Sequence, residues 1–213
     1  MTSPTKNNTS LFAPLGLYLV AGVLWFLLFT LHLANFWGEM SLSLALLVTL
    51  AWVFQRDLFS WGPLTVRHLV LGVGSFILLY GIFYLGNILT GLLFTFKNTQ
   101  IAEVYSNKTQ AAPWVISVLL LLVIAPGEEI FWRGFLQRRL MQRWGENAGW
   151  LVGAVAYGAV HLLTGNVMLV IAALVCGFYW GFLYRQQKSL WPVLISHALW
   201  DFTAFVLLPF PTR

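Results

Sequence analysis

Seven stretches of the chain are apolar on every face, with short polar segments between them, at about 11–34, 42–54, 69–96, 114–130, 150–163, 167–184 and 191–208. A helical bilayer crossing needs about 20 apolar residues, and a lone strand cannot satisfy its backbone in lipid. The pattern therefore predicts an all-α, polytopic transmembrane helix bundle of about seven spans. The second stretch is short enough to be re-entrant, and the third is long enough to tilt or to break near Gly86-Asn87. Residues 1–10 are polar and read as a disordered N-terminal tail, and 11–208 as a single membrane-embedded domain. The first apolar stretch is too long for a signal-peptide core and no small-residue cleavage pattern follows it, so it reads as a retained span.

Composition sharpens this picture. Of the 213 residues, 59% are hydrophobic and 9% charged, against about 25% charged in soluble domains. That excludes a soluble protein with one anchor. The net charge of +5 does not point to nucleic acid, because there are eleven tryptophans and no polar domain to carry such a surface. Basic residues flanking membrane helices give the same imbalance. With the N-terminus inside, the inner segments carry Lys6, Arg56, Arg67, Arg133, Arg138, Arg139, Arg143, Arg185 and Lys188, and the outer ones Lys97, Lys108 and Arg213. The asymmetry places the N-terminus in the cytoplasm. The one cysteine, Cys176, has no partner for an internal disulfide.

Four charged residues, Glu128, Glu129, Arg133 and Asp201, fall inside apolar stretches or just past the end of one, as do His161 and His197. Each charge at a bilayer centre costs about 2.5–3.5 kcal/mol on insertion scales, so such groups are paired and functional as a rule. Glu129 and Arg133 stand i,i+4 on one helical face and can pair. Glu128 is rotated by about 100° and points toward another helix. Tyr157 with His161, and His197 with Asp201, repeat the i,i+4 spacing on two further helices. If the fourth helix continues through Arg133, then Glu128, His161 and Asp201 all lie about 15 Å deep and His197 about 9 Å deep. They would meet near mid-bilayer, reached from the inner side. The continuation over 135–144 reads as an amphipathic helix along the inner interface after a bend at Gly134. The pairs Gly149/Gly153 and Gly177/Gly181 read as close-packing positions. His32 and His68 read as non-catalytic, and Trp25 and Trp114 as interface belts and packing.

A carboxylate and an imidazole in a dry pocket can share a water and take its proton. A second imidazole and a protonated carboxyl could donate to the oxyanion of a tetrahedral intermediate. No serine or cysteine stands at a useful spacing from a histidine, which favours activated water over an acyl-enzyme. The three motifs in order, Glu128-Glu129-x-x-x-Arg133, Tyr157-x-x-x-His161 and His197-x-x-x-Asp201, resemble the CAAX protease and bacteriocin-processing family of intramembrane proteases over about 114–208. That family's pattern is EExxxR, FxxxH and HxxxN or HxxxD; Tyr157 departs from the usual phenylalanine by one hydroxyl.

The resemblance implies peptide-bond hydrolysis on a membrane-embedded or membrane-anchored protein or peptide. It implies Glu128 and His161 as the water-activating pair, His197 and Asp201 as oxyanion support, and Glu129, Arg133 and Tyr157 as structural support. No cofactor is required. Zinc on Glu128, His161 and His197 is the alternative, since two histidines and a carboxylate make a common zinc set. Two other functions fit the same residues: a non-proteolytic partner, assembly or immunity factor in a membrane complex, and a proton-coupled carrier with a Glu/His/Asp relay. The carrier lacks the inverted repeat of such folds.

Overall fold

A computed structural model describes residues 11–211. The expected tail at 1–10, and the charges of Lys6 and Arg213, lie outside the described residues. Among those described, the chain is all-helical, with eight helices. Five are long and apolar enough to cross a membrane: α1 (Phe12–Leu31), α2 (Phe36–Phe54), α3 (Val66–Leu93), α5 (Pro113–Trp144) and α7 (Val167–Gln187). A shorter apolar helix, α8, spans Trp191–Leu207. The remaining two are α4 (Lys97–Ser106, extended by a 3₁₀ turn Asn107–Gln110) and α6 (Glu146–Val160, followed by a 3₁₀ turn His161–Thr164). The chain is thus a multi-pass membrane protein with five full-length candidate spans; α6 and α8, where two of the seven expected spans fall, are shorter.

Local chemistry explains most of the boundaries. Asn35 caps α2, its side chain accepting from the Trp37 and Gly38 amides. The helix therefore starts at Phe36, before the first strongly apolar run, and at 19 residues it is long enough to cross rather than re-enter. Thr65 and His68 form a reciprocal capping box at the start of α3, which gives His68 a structural task. α3 then runs for 28 residues without a break at Gly86-Asn87. Gly145 (φ 85°) and Gly165 (φ 67°) supply the left-handed backbone that turns α5 into α6 and α6 into α7.

α5 does not bend into an interfacial helix after Gly134; it continues to Trp144. Phe135, Leu136, Gln137 and Leu140 are buried. Polar partners hold this segment inside. Gln137 donates to the Gly181 carbonyl (2.8 Å) and Gln55 to the Gly134 carbonyl (3.2 Å). Arg138 pairs with Asp57, and Arg139 donates to Gln55 and to the Phe54 carbonyl. The polar residues that read as a lipid-surface face are a contact with the end of α2 and with α7.

Contacts between loops define two ends of the bundle. At one, Asp57 meets Arg138, Arg67 meets Gln187 and Glu146 meets Lys188. At the other, Gln110 holds Asn35, Trp37 holds the Asn107 carbonyl, Asn166 reaches Gln100 and Glu103, and Tyr80 reaches the Leu208 carbonyl. Successive long helices alternate between these ends. The first end gathers the arginines; α4 lies across the second. α3 exposes most of its apolar side chains, as a lipid-facing helix must, while α5 is the most enclosed of the long helices.

Gly149 lets α6 fold back on the end of α5. A Cβ there would overlap the Met141 amide nitrogen and Cα, whereas one at Gly153 would meet only the Gln137 side chain and Cα at 3.2 Å and beyond. Gly149→Ala is expected to lose about 1–3 kcal/mol, and Gly153→Ala much less, in reversible detergent unfolding. Equal effects at both positions would refute the backbone-contact explanation.

Candidate active site

α5 carries the two glutamates on one ordinary helical turn, Ala125–Glu129, set between two stretches of wider π-type turns, Leu120–Ile124 and Ile130–Gln137. Pro126 has no N–H for the Leu122 carbonyl, and its ring crowds the preceding turn. The wide turns make room for it and change which way the following side chains project, a device common at functional sites. Glu128 and Glu129 are both buried but face different neighbours.

Glu129 is completely buried, and one of its oxygens, Oε1, takes two partners: the Arg133 guanidinium at 2.8 Å and His197 Nδ1 at 2.7 Å. Its Oε2 has no hydrogen-bond partner among the described residues. Arg133 also donates to the Cys176 carbonyl (3.2 Å) and lies over the Tyr157 ring at 4.5 Å and the Trp180 ring at 5.6 Å. α5, α6, α7 and α8 are joined at this point. On the far side of His197, Nε2 lies 3.4 Å from Asp201 Oδ1. The imidazole stacks on Trp180 with ring centroids 3.8 Å apart, and Trp180 is itself fixed by Ser196 (3.0 Å).

Tyr157 organises the other half. Its hydroxyl donates to Glu128 Oε2 (2.6 Å), and its carbonyl accepts from His161 Nδ1 (2.8 Å). A carbonyl only accepts, so His161 carries its ring hydrogen on Nδ1. Nε2 then holds a lone pair, which accepts from the Trp25 indole N–H at 3.3 Å. Among the described residues no donor within hydrogen-bond reach takes Glu128 Oε1, and this atom is not sealed from the adjoining space.

That space is an elongated, mostly apolar cavity of about 300 Å³. Glu128, Tyr157, His161, His197 and Asp201 all line it, so it brings together the four expected catalytic residues. Glu129 and Arg133 stand behind its wall. From the buried charges the cavity extends past Phe36, Val104, Tyr105 and Phe210, which belong to the end away from the arginines. Access from the arginine-rich side, expected from depth alone, is not what the packing gives, because buried α5 and its contacts with α2 and α7 close that side. Between α3 and α7 the helices meet near Ser75 and Tyr179 (2.9 Å). Farther along, the Ile82–Thr90 and Met168–Val175 sides of these helices both face the cavity.

Zinc on Glu128, His161 and His197 would require each imidazole to give up a present contact. Both nitrogens of His197 face carboxylate oxygens, and both nitrogens of His161 are engaged by Tyr157 and Trp25. Among the described residues no three His, Cys, Asp or Glu side chains stand as a metal-holding group.

Residues 110–203 match the family model described as type II CAAX prenyl endopeptidase Rce1-like. The matched stretch, a Rce1-like CAAX protease domain, makes up rather less than half of the chain. No curated protein and no solved structure matches the chain. The Rce1-like domain takes in α5, α6, α7 and most of α8, with every residue of the three motifs; α1–α3 and nearly all of α4 precede it.

Two contacts escaped the sequence reading. The link from Glu129 to His197 joins helices 68 residues apart, with no local spacing to reveal it. Trp25 and Trp114 read together as belt and packing residues; Trp25 is fully buried and Trp114 exposed, and the hydrogen bond from Trp25 to His161 had no local spacing to reveal it.

Taking away the Arg133 charge leaves Glu129 with His197 as its sole hydrogen-bond donor. Arg133→Met is expected to destabilise the protein by about 3–5 kcal/mol, measured by unfolding in mixed micelles followed through tryptophan fluorescence. A loss within about 1 kcal/mol would mean that the pair is not what holds the four helices together.

Proposed function

We propose that the chain is an intramembrane peptidase that hydrolyses a peptide bond by a water activated on Glu128. The observation that carries this reading is the Glu128 carboxylate: one oxygen held by the Tyr157 hydroxyl, the other free beside a cavity lined by His161, His197 and Asp201, all inside a Rce1-like domain.

Glu128 Oε1 takes a proton from the water, and His161 Nε2 is the acceptor for its second O–H. The water oxygen bonds to the scissile carbonyl carbon, and the carbonyl oxygen becomes an oxyanion. His197 Nε2–H, held in place by Glu129 on the other ring nitrogen and by Trp180 beneath the ring, is placed to donate to that oxyanion. Asp201 adds a second donor when it carries a proton. The tetrahedral intermediate collapses with cleavage of the C–N bond, and Glu128 returns its proton to the departing amine. The chain's own residues supply every proton position in this sequence. The site does not need a metal for it.

The substrate is a membrane-embedded or membrane-anchored protein or peptide. An apolar cavity reached between α3 and α7, beneath α4, suits a chain arriving from the bilayer. The arginine-rich end lies in the cytoplasm by the distribution of Lys and Arg. The cavity then opens toward the opposite half of the membrane.

Glu128→Gln is expected to lower cleavage of a membrane-anchored peptide in proteoliposomes by about 10²–10⁴-fold, with the melting temperature nearly unchanged. Full cleavage by this variant would sink the proposal. For orientation, single cysteines in a Cys176→Ala background should be labelled by an impermeant maleimide from the cytoplasmic side at Arg143 and from the opposite side at Lys108. The reverse pattern would invert the topology.

A further inference from the structure

Helix α1 lies wholly outside the Rce1-like domain, yet it ends on one of the site's imidazoles. Trp25 is fully buried. Its ring meets His161 edge-on at 6.1 Å and 82°, and meets Trp132 at 5.9 Å and 89°. A few residues on, the Thr30 hydroxyl donates to the Leu163 carbonyl at 2.8 Å, tying α1 to the turn that carries His161.

The chemistry of the two partners fixes what this contact does. An indole N–H can only donate, and a neutral imidazole has one nitrogen lone pair. The Tyr157 carbonyl already claims the Nδ1 hydrogen, so the lone pair in question is that of Nε2. A water cannot donate to Nε2 while Trp25 does. We propose that Trp25 is a positioning residue that latches the site: it occupies the His161 lone pair, and His161 receives a water O–H only after that contact opens. The proposal rests on the peptidase reading for its consequence but not for the contact itself.

A net intramolecular hydrogen bond is worth about 0.5–1.5 kcal/mol, which corresponds to holding His161 closed by roughly two- to tenfold. The latch is therefore weak enough to open thermally or when a substrate moves α1. Trp132 provides the control. It packs on Trp25 and Tyr157, but its indole N–H has no acceptor among the described residues, so Trp132→Phe repacks the same side of the site without removing a hydrogen bond to His161.

The test uses full-length protein with ¹⁵N-labelled histidine in detergent micelles, where only four imidazoles give signals. Trp25→Phe should move the His161 Nε2 resonance downfield, toward that of a nitrogen without a donor, and leave Nδ1 protonated. Trp132→Phe should not move it. An unmoved resonance in Trp25→Phe, or the same shift in both variants, overturns the latch. In parallel, kcat on the membrane-anchored peptide should rise roughly two- to tenfold in Trp25→Phe with KM unchanged, and stay level in Trp132→Phe. A fall in kcat for Trp25→Phe overturns the latch as well. If wild type and both variants all fail to cleave, the peptidase reading falls, and the resonance still decides whether Trp25 holds His161.

Discussion

One oxygen atom sets the arrangement of the buried half of this protein. Glu129 Oε1 is out of reach of lipid and water and accepts from Arg133 on its own helix and from His197 on α8. A lone carboxylate at that depth would be prohibitive, as would a lone guanidinium. Together with the imidazole they become tolerable only in one relative placement of α5 and α8. Arg133 then reaches α7 through the Cys176 carbonyl and α6 through the Tyr157 ring. The cost of burying charge thus becomes a constraint on helix register, in an environment where apolar packing alone discriminates poorly between registers.

The adjacent glutamate can do something different because Glu129 has absorbed the positive charge. Among the described residues Glu128 has no cation bonded to it, and its one partner is a neutral hydroxyl. A carboxylate committed to Arg133 could not leave an oxygen open to a water. Two neighbouring residues of one type therefore divide the work through helical rotation, one turned into the bundle and one toward the cavity. Tyr157 strengthens the division, since its hydroxyl orients Glu128 while its carbonyl orients His161. A phenylalanine at this position would keep only the second contact.

What was legible in the sequence was whatever lies within one helix. The i,i+4 pairs Glu129/Arg133 and His197/Asp201 needed only the helical pitch, and the motifs needed only their order. The helical, multi-pass class followed from apolar length. Elements whose polar residues serve another helix were misread. Gln137, Arg138 and Arg139 gave α5 an amphipathic ending that turned out to be its contact with α2 and α7. α4 is too polar and short to carry an apolar pattern, although it lies across the end toward which the cavity extends. The direction of access could not come from depth along separate helices, because it depends on which gaps between them are filled.

The same limit bears on where the site ends. The three motifs sit in the Rce1-like domain, but the environment of their side chains does not stop there. His161 is held from one side by Tyr157 within the domain and from the other by Trp25 before it. The cavity wall takes Phe29, Phe36, Trp37 and Met40 from α1 and α2, and Phe83 from α3. The domain supplies the buried glutamate, histidines and aspartate, and the preceding helices supply part of the wall around them. On the proposed peptidase reading, chains that share the motifs but differ in these helices would keep the same proton chemistry with different access to it. Differences in substrate among such chains should then trace to the segment that carries no motif at all.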